Sequence, residues 1–299
     1  MFANYPKKNA KLLVACGVIR PGKIIGTYFT THKENIEWCW AVILAGGIPV
    51  ILSPLSNDSI TLNSQLENIS KLFEGPTVLT AQRLKPTFQE AKSLNLVVVE
   101  QLSDGNQSQM IIGPSQNSDD LAVMLLTSGS TGHAKAVCYS HSQLLASVKA
   151  KAQFHKTDQN TNFMSWTCKF NLSAVVDFLT HIPAFDHSAN FCEIHLNALY
   201  TGSNQVHVST SDLVTQPDHF FRLLSKFEIG YTFIPNFLLA AAVNEFNWRV
   251  DDAHLDFRKL RVIMCGGEAN RVCSNLQDST GKANFKIGRL LLSLEQNIY

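Results

Sequence analysis

The residues best suited to chemistry in this 299-residue chain lie in one short stretch, which reads Thr127-Ser-Gly-Ser-Thr-Gly-His-Ala-Lys135. Glycines let backbone N–H groups turn toward an anion, hydroxyl groups add donors, and one lysine supplies a point charge for polyphosphate. The stretch therefore predicts a phosphate-binding loop. The residues expected to hold the phosphates are Thr127, Ser128, Gly129, Ser130, Thr131, Gly132 and Lys135.

Two common phosphate-binding motifs are excluded by the spacing within this loop. A P-loop needs glycine directly before its lysine and serine or threonine after it, whereas Lys135 lies between Ala134 and Ala136. The dinucleotide fingerprint needs three glycines, and Gly129 and Gly132 have no third partner. A Ser- and Gly-rich surface loop without a ligand is the alternative that remains open.

The segments around the loop predict a three-layer α/β fold. Residues 121–126 are mostly apolar and too short for a helix, which indicates a buried strand leading into the loop. Residues 24–29 predict a strand, a helix follows from Thr31 to the glycines at 46 and 47, and residues 48–52 predict the next strand. A strand, helix, strand order with a right-handed crossover implies a parallel sheet covered by helices.

Similar signals continue along the chain and predict doubly wound parallel sheets. Helices are expected over residues 62–73, 87–94, 217–227 and 237–246, and strands over residues 77–80, 96–99, 231–234 and 260–264. Ser140 is a plausible N-cap for a further helix after the phosphate loop. Residues 103–120 are rich in Ser, Asn, Gln, Gly and Asp, which is typical of a linker.

The loop resembles the T-S-G-S-T-G-x-x-K signature of adenylate-forming enzymes, the superfamily of acyl-CoA synthetases and peptide-synthetase adenylation domains. Many members carry proline before the lysine, where this chain has Ala134. Three further stretches resemble motifs of the superfamily in the expected order. They are Trp40-Ala-Val-Ile-Leu-Ala-Gly-Gly-Ile-Pro49, Phe185-Asp-His187 and Cys265-Gly-Gly-Glu-Ala269.

The resemblance implies a role for each of these stretches. The first is structural, because small residues let a helix approach the sheet closely. In the second, Phe185 would gate the acyl group, while Asp186 and His187 would contact it. Asp186 pairs with an amine if the substrate is an amino acid, His187 suits an aryl or keto acid equally well, and an ordinary polar loop is the alternative. The third stretch would pack on adenine and the acyl group through Gly266, Gly267, Glu268 and Ala269.

The amino-acid sequence is most similar to those of the adenylation domains of fungal enzymes that resemble nonribosomal peptide synthetases. The similarity is clearest in short segments such as Phe185-Asp-His-Ser-Ala-Asn190 and Gln205-Val-His-Val208. It implies ATP-dependent activation of a carboxylic acid to an acyl-adenylate, with Mg²⁺, followed by transfer to phosphopantetheine on a carrier protein. Residues 1–115 would form a first α/β subdomain, residues 116–270 a second with the phosphate loop and acyl pocket, and residues 271–299 a divergent tail.

The later motifs of the superfamily are not found after Glu268. These motifs supply a magnesium ligand, a ribose anchor and, in a small C-terminal domain, a catalytic lysine. We therefore expect an incomplete N-terminal domain, without the C-terminal small domain, that does not catalyse the reaction by itself. A noncatalytic remnant or interaction protein is the competing hypothesis.

One insertion interrupts the resemblance at residues 168–184. If Cys168-Lys-Phe170 is encoded TGT-AAG-TTC, it contains a splice donor, and codons 183 and 184 can contain the acceptor. Translated intron is one interpretation, and a similar origin is possible for residues 271–299. The alternative for the insertion is a tolerated surface loop.

Composition narrows the class of protein. The chain is 45% hydrophobic, and its net charge of +1 gives no electrostatic support for nucleic-acid binding. Seven scattered cysteines without C-x-x-C pairs indicate reduced thiols, and no H-E-x-x-H pattern accompanies His187 and His195 around Glu193. The N-terminus lacks an apolar signal core, and glycines and a proline divide the apolar residues 38–55. We expect a cytosolic protein without a metal site of its own or a membrane partner.

Overall fold

The computed structural model describes residues 4–91, 93–103, 117–127, 134–167, 185–246 and 255–265. The chain divides into two compact units. Residues 1–146 and 185–187 form the first unit, and residues 147–184 and 188–299 form the second. We expected a boundary after residue 115, whereas the first unit continues to Ala146.

The first unit contains a six-stranded sheet in the order β4-β3-β1-β2-β5-β6. Its elements are α1 (Asn4–Ala15), β1 (Ile24–Tyr28), α2 (His32–Leu44), β2 (Ile48–Ile51), α3 (Ser59–Leu72), β3 (Thr77–Thr80), a 3₁₀-helix (Gln82–Phe88), β4 (Asn95–Val98), a 3₁₀-turn (Val99–Gln101), β5 (Leu121–Thr127), β6 (Lys135–Ser140) and the start of α4 (His141–His155). Strands β1 to β5 pair in parallel, and β6 pairs antiparallel with β5.

Side chains on the two faces of the first sheet belong to two separate hydrophobic clusters. Ile25 of β1 packs with Leu13 of α1 and Val42 of α2 on one face. Tyr28 packs with Ile69 of α3 on the other face. Since side chains alternate across a strand, this pattern places helices on both faces of the sheet. The expected three-layer architecture is confirmed in this unit.

The second unit contains a four-stranded parallel sheet in the order β10-β9-β7-β8. Its elements are the end of α4, β7 (Asn162–Thr167), a π-helix (Ala189–Leu196), α5 (Asn197–Thr201), β8 (Gln205–Ser209), α6 (Thr210–Thr215), α7 (His219–Lys226), β9 (Ile229–Phe233), α8 (Asn236–Glu245) and β10 (Val262–Met264). Two clusters again cover the sheet. Met164 packs with residues of α6 to α8, and the adjacent Phe163 packs with Ile194 of the π-helix.

One predicted helix is wrong. Residues 87–94 were expected to be helical, but the described residues form the end of the 3₁₀-helix at Phe88 and then turns. The Ala91 N–H donates to the Phe88 carbonyl and the Leu94 N–H to the Ala91 carbonyl. These bonds span three residues rather than four, and β4 begins at Asn95, so no α-helical turn is completed.

Gly47 is closely packed against the segment that precedes β1. Gly47 lies between α2 and β2, and a Cβ atom there would collide with the Ile19 side chain and lie 3.1 Å from the Lys23 carbonyl oxygen. The apolar residues 38–55 divide between α2 and β2, as expected. Within the described part of the chain, no helix is both long enough and apolar enough to cross a membrane.

Candidate functional site

The two ends of the predicted phosphate loop lie opposite each other. Thr127 is the last residue of β5, Lys135 is the first residue of β6, and the two are direct partners in the antiparallel register. The Thr127 hydroxyl donates to the Lys135 carbonyl oxygen at 3.4 Å. Both residues are exposed, so the ammonium group of Lys135 faces solvent. The strand pair therefore closes the loop and leaves the lysine charge accessible.

Side-chain hydrogen bonds anchor the chain at both ends of β6. The Asn68 side-chain amide of α3 donates to the Ala134 carbonyl at 3.3 Å. At the far end of β6, the Ser140 N–H donates to Gln143 Oε1 at 2.9 Å, and the Gln143 N–H donates to Ser140 Oγ at 3.2 Å. This reciprocal pair is a capping box, so the N-cap expected at Ser140 is confirmed. Ser128, Gly129, Ser130, Thr131 and Gly132 lie outside the described residues.

Phe185 belongs to the first unit and packs beside the N-terminus of α2. Its side chain is 1% exposed. Its ring centroid lies 6.0 Å from that of His32, with the two ring planes at 89°. His32 is the first residue of α2, just beyond the carboxyl end of β1. Ligands of open α/β sheets lie near the carboxyl ends of strands, so the predicted acyl residue occupies the expected edge of its sheet.

Asp186 lies at the same edge. The residue is half-buried, and its carboxylate interacts with Ser53, two residues beyond the end of β2. Burial raises the pKa of Asp186 to about 6, and the hydrogen bond from Ser53 opposes that rise because it stabilises the ionised form. The neighbouring His187 is exposed. Near neutral pH the arrangement thus offers a carboxylate that a modest change in surroundings can protonate.

The predicted adenine-binding residues, Gly266, Gly267, Glu268 and Ala269, lie outside the described residues. The described residues end just before them, with β10, which ends at Met264, and the half-buried Cys265. The Ile234 N–H donates to the Met264 carbonyl at 2.8 Å and fixes that strand end against the residue after β9. The role of these four residues stays a prediction.

Sequence reasoning assigned no role to three polar residues whose contacts the structure describes. Ser53 and His32 each follow the carboxyl end of a parallel strand. That position in the sequence is the signal that could have identified them as candidate site residues. Lys151 of α4 forms an ion pair with Glu193. From the sequence, Glu193 was considered only together with His187 and His195, as a metal site that the pattern did not support. His195 contacts Gln205 instead, through its Nδ1 atom at 2.9 Å. Within the described ranges, no three His, Cys, Asp or Glu side chains are grouped as metal ligands would be.

The fold and the strand, loop, lysine and strand order define an α/β protein of the adenylate-forming class. A family model described as AMP-binding enzyme matches residues 6–272. The chain therefore belongs to the AMP-binding enzyme family, and the expected resemblance is confirmed.

Curated relatives support this assignment. The chain is 33% identical over 275 residues to nonribosomal peptide synthetase acyN of Ascocoryne sarcoides, covering 90% of this chain and 28% of the relative. It is 34% identical over 268 residues to microperfuranone synthase of Emericella nidulans, covering 89% and 27%. The chain thus spans just over a quarter of the length of these relatives.

Solved structures show the same fold at lower identity. The adenylation domain of a keto acid-selecting NRPS module, bound to a keto acyl adenylate, has a TM-score of 0.71 at 22% identity, over 90% of this chain and 47% of the other. A fatty acyl-adenylate ligase of L. pneumophila, in complex with acyl adenylate and pyrophosphate, has a TM-score of 0.78 at 20% identity, over 97% and 48%. The expected doubly wound α/β class is confirmed, and the chain spans about half of these structures.

Proposed function

We propose that this chain carries the phosphate- and acyl-binding part of a domain that activates a carboxylic acid with ATP. The observation that carries the proposal is the pairing of Thr127 with Lys135, because it closes a Gly- and Ser-rich loop beside an accessible lysine. Backbone N–H groups of such a loop and one ammonium group suit the phosphates of ATP. Phe185 and Asp186 supply the acyl side, at the carboxyl edge of their own sheet.

The proposed reaction is nucleophilic substitution at the α-phosphorus of ATP. A carboxylate oxygen of the acid forms a new bond to that phosphorus, and the bond to the bridging oxygen of pyrophosphate breaks. Negative charge then accumulates on pyrophosphate, where Lys135 and the loop N–H groups stabilise it. The resulting acyl-adenylate transfers its acyl group to a phosphopantetheine thiol of a carrier protein, with AMP as the leaving group.

Magnesium is implied by the family rather than by the described residues. Within those residues no cluster of three acidic, His or Cys side chains is available to hold it. The charge compensation that we assign to this chain comes from Lys135 and backbone donors.

Asp186 bears on the class of acid. Above a pH of about 6 its carboxylate is ionised and suits the ammonium group of an amino acid. When protonated, the same group donates a hydrogen bond to a keto oxygen. Amino, keto and aryl acids therefore remain the three candidate classes. The relative described as a keto acid-selecting adenylation domain makes keto acids the first class to test.

A noncatalytic protein that binds a nucleotide through the loop between Thr127 and Lys135 is the second candidate. Isotope exchange between pyrophosphate and ATP across a panel of aryl, keto and amino acids separates the two. The assay compares the 299-residue chain with a fusion that adds the remaining adenylation domain of a curated relative. We expect exchange only in the fusion. Its absence in a folded fusion that binds ATP would favour the noncatalytic function.

A further inference from the structure

The junction between β1 and α2 carries the contact with Phe185 inside the first unit. Residues 29–31 connect the two elements, and His32, the first residue of α2, packs edge-on against the Phe185 ring. All of these residues belong to the same compact unit. Whatever fixes the start of α2 therefore determines where the His32 ring meets the predicted acyl segment.

A buried amide holds this junction from inside. Asn35 is 9% exposed, and its Nδ2 atom donates to the Phe29 carbonyl at 2.9 Å and to the Thr31 carbonyl at 3.1 Å. Side-chain bonds of this kind satisfy backbone groups where a strand ends and a helix begins. The connecting residues are thereby fixed to the first turn of α2.

A charged side chain holds the same junction from outside. Arg83, on the 3₁₀-helix after β3, donates from Nη1 to Glu34 Oε1 at 2.8 Å and from Nη2 to Glu34 Oε2 at 2.5 Å. The same Nη2 atom donates to Thr30 Oγ1 at 3.2 Å. Two parallel bonds between a planar guanidinium and a planar carboxylate fix direction as well as distance.

Glu34 also completes the cap of α2. Its backbone N–H donates to Thr31 Oγ1 at 3.2 Å, and the Thr31 hydroxyl donates to Glu34 Oε2 at 2.7 Å. Burial opposes ionisation of this carboxyl group, but the hydrogen bonds from Arg83 and Thr31 outweigh burial and lower the pKa of Glu34. The carboxylate is therefore ionised near pH 7 and keeps both of its donors.

The place of the pair in the fold indicates more than a contribution to stability. The side chains of Arg83 and Glu34 are 48% and 26% exposed, and exposed ion pairs generally contribute little to folding because water competes for both groups. Strands β1 and β3 are neighbours in the sheet, so the pair joins the segments that follow two adjacent carboxyl ends. Ligands of parallel sheets lie at this edge.

We propose that Arg83 and Glu34 are positioning residues for acyl binding, because they fix the first turn of α2 and with it the His32 surface against which Phe185 packs. The inference rests on the acyl role proposed above for Phe185 and Asp186. Loss of the pair should leave the unit folded, while the His32 and Phe185 rings take up other relative orientations.

The test uses the full 299-residue chain and the variant Arg83→Met, which replaces the fork of donors by an unbranched apolar side chain. Arg83→Lys is the conservative variant, since it restores the charge without the planar fork. Glu34→Gln tests the pair from its other side. Lys71→Met is the matched control, because Lys71 pairs with Glu67 on α3 at 3.6 Å and both side chains are at least 71% exposed.

Four measurements separate placement from stability. The denaturant midpoint reports folding, and amide hydrogen exchange of residues 34–36 reports the first turn of α2. The ring-proton NMR shifts of His32 report its contact with Phe185, because an aromatic ring shifts the resonances of protons near it. These resonances are assigned as the ones that His32→Gln removes. Calorimetric titration gives the affinities for ATP and for a panel of acyl-sulfamoyl adenosines.

We expect Arg83→Met and Glu34→Gln to keep a midpoint close to that of the parent, with exchange in residues 34–36 faster by about fivefold or more. The His32 resonances should shift. The affinity for the best acyl-sulfamoyl adenosine should fall by about fivefold or more, and ATP affinity should change by less than about twofold. Arg83→Lys should lie between the parent and Arg83→Met, and Lys71→Met should match the parent.

Two results would overturn the proposal outright: unchanged His32 resonances in the folded variants, or equal losses of affinity for ATP and the acyl probe. A lower midpoint with uniformly faster exchange across the first unit would also overturn it, because the pair would then serve stability alone. A parent chain that binds ATP but no acyl probe would remove the proposed acyl role. In that case the His32 resonances and the exchange rates still decide whether the pair fixes the start of α2.

Discussion

The Phe185 ring meets the His32 imidazole edge-on, with ring centroids 6.0 Å apart and ring planes at 89°. Both side chains are at least 95% buried, Phe185 at 1% and His32 at 5% exposure. The acyl segment is therefore packed into the first unit as a structural element as well as being a candidate binding element.

Phe185→Ala should accordingly lower the free energy of unfolding. Truncating a buried phenylalanine removes its burial and leaves a cavity, at a cost of about 3–5 kcal/mol. Denaturant unfolding measures the change. Phe154→Ala is the control, because Phe154 is 70% exposed and its loss should cost within about 0.5 kcal/mol. Similar losses in the two variants would contradict the packing assigned to Phe185.

Asp186→Asn should change how stability depends on pH. Because burial raises the pKa of Asp186 to about 6, the folded state holds its proton over a range where the unfolded state, with a pKa near 3.8, has released it. Stability contributed by this group is therefore full below pH 3.8 and declines as the pH rises toward 6. The asparagine variant lacks this decline.

The measurement compares the unfolding free energies of the parent and Asp186→Asn at pH 4 and pH 7.5. We expect the variant to gain stability relative to the parent as the pH rises. A difference that is constant with pH would show that the pKa of Asp186 is not raised in the folded state.

Gly47→Ala should destabilise the first unit, because the added methyl group meets Ile19 and lies near the Lys23 carbonyl. Overpacking of this kind costs about 1–3 kcal/mol. Shortening the neighbour in the double variant Ile19→Val with Gly47→Ala should recover part of the loss relative to Ile19→Val alone. Additive effects of the two substitutions in a double-mutant cycle would argue against this contact.

Much of the architecture is predictable from local sequence signals. The strand at residues 77–80 was predicted with its observed bounds, and α2 ends beside the glycines that were expected to stop it. Ser140 caps α4 because its hydroxyl and the Gln143 amide satisfy two N–H groups at a helix start. These features depend on residues close in sequence, so short-range physical rules find them.

Long-range pairings were not predictable in the same way. The antiparallel pairing of β6 with β5 depends on how the loop closes, and the ion pair of Lys151 with Glu193 joins residues 42 positions apart. The π-helix has the composition of an ordinary helix, so nothing local distinguishes it. Ser53 became a candidate only when the packing of residues 185–187 with the first unit was known.

The central claim is that the loop from Thr127 to Lys135 binds the phosphates of ATP, and calorimetric titration of the purified chain with ATP tests it most directly. Lys135→Ala should weaken binding by about 1.5–3 kcal/mol, roughly ten- to 150-fold in Kd, since a charge-assisted hydrogen bond is lost. Lys149→Ala, which removes an exposed charge from α4, should leave the Kd unchanged. Equal ATP affinity in the parent and a folded Lys135→Ala variant would contradict the account.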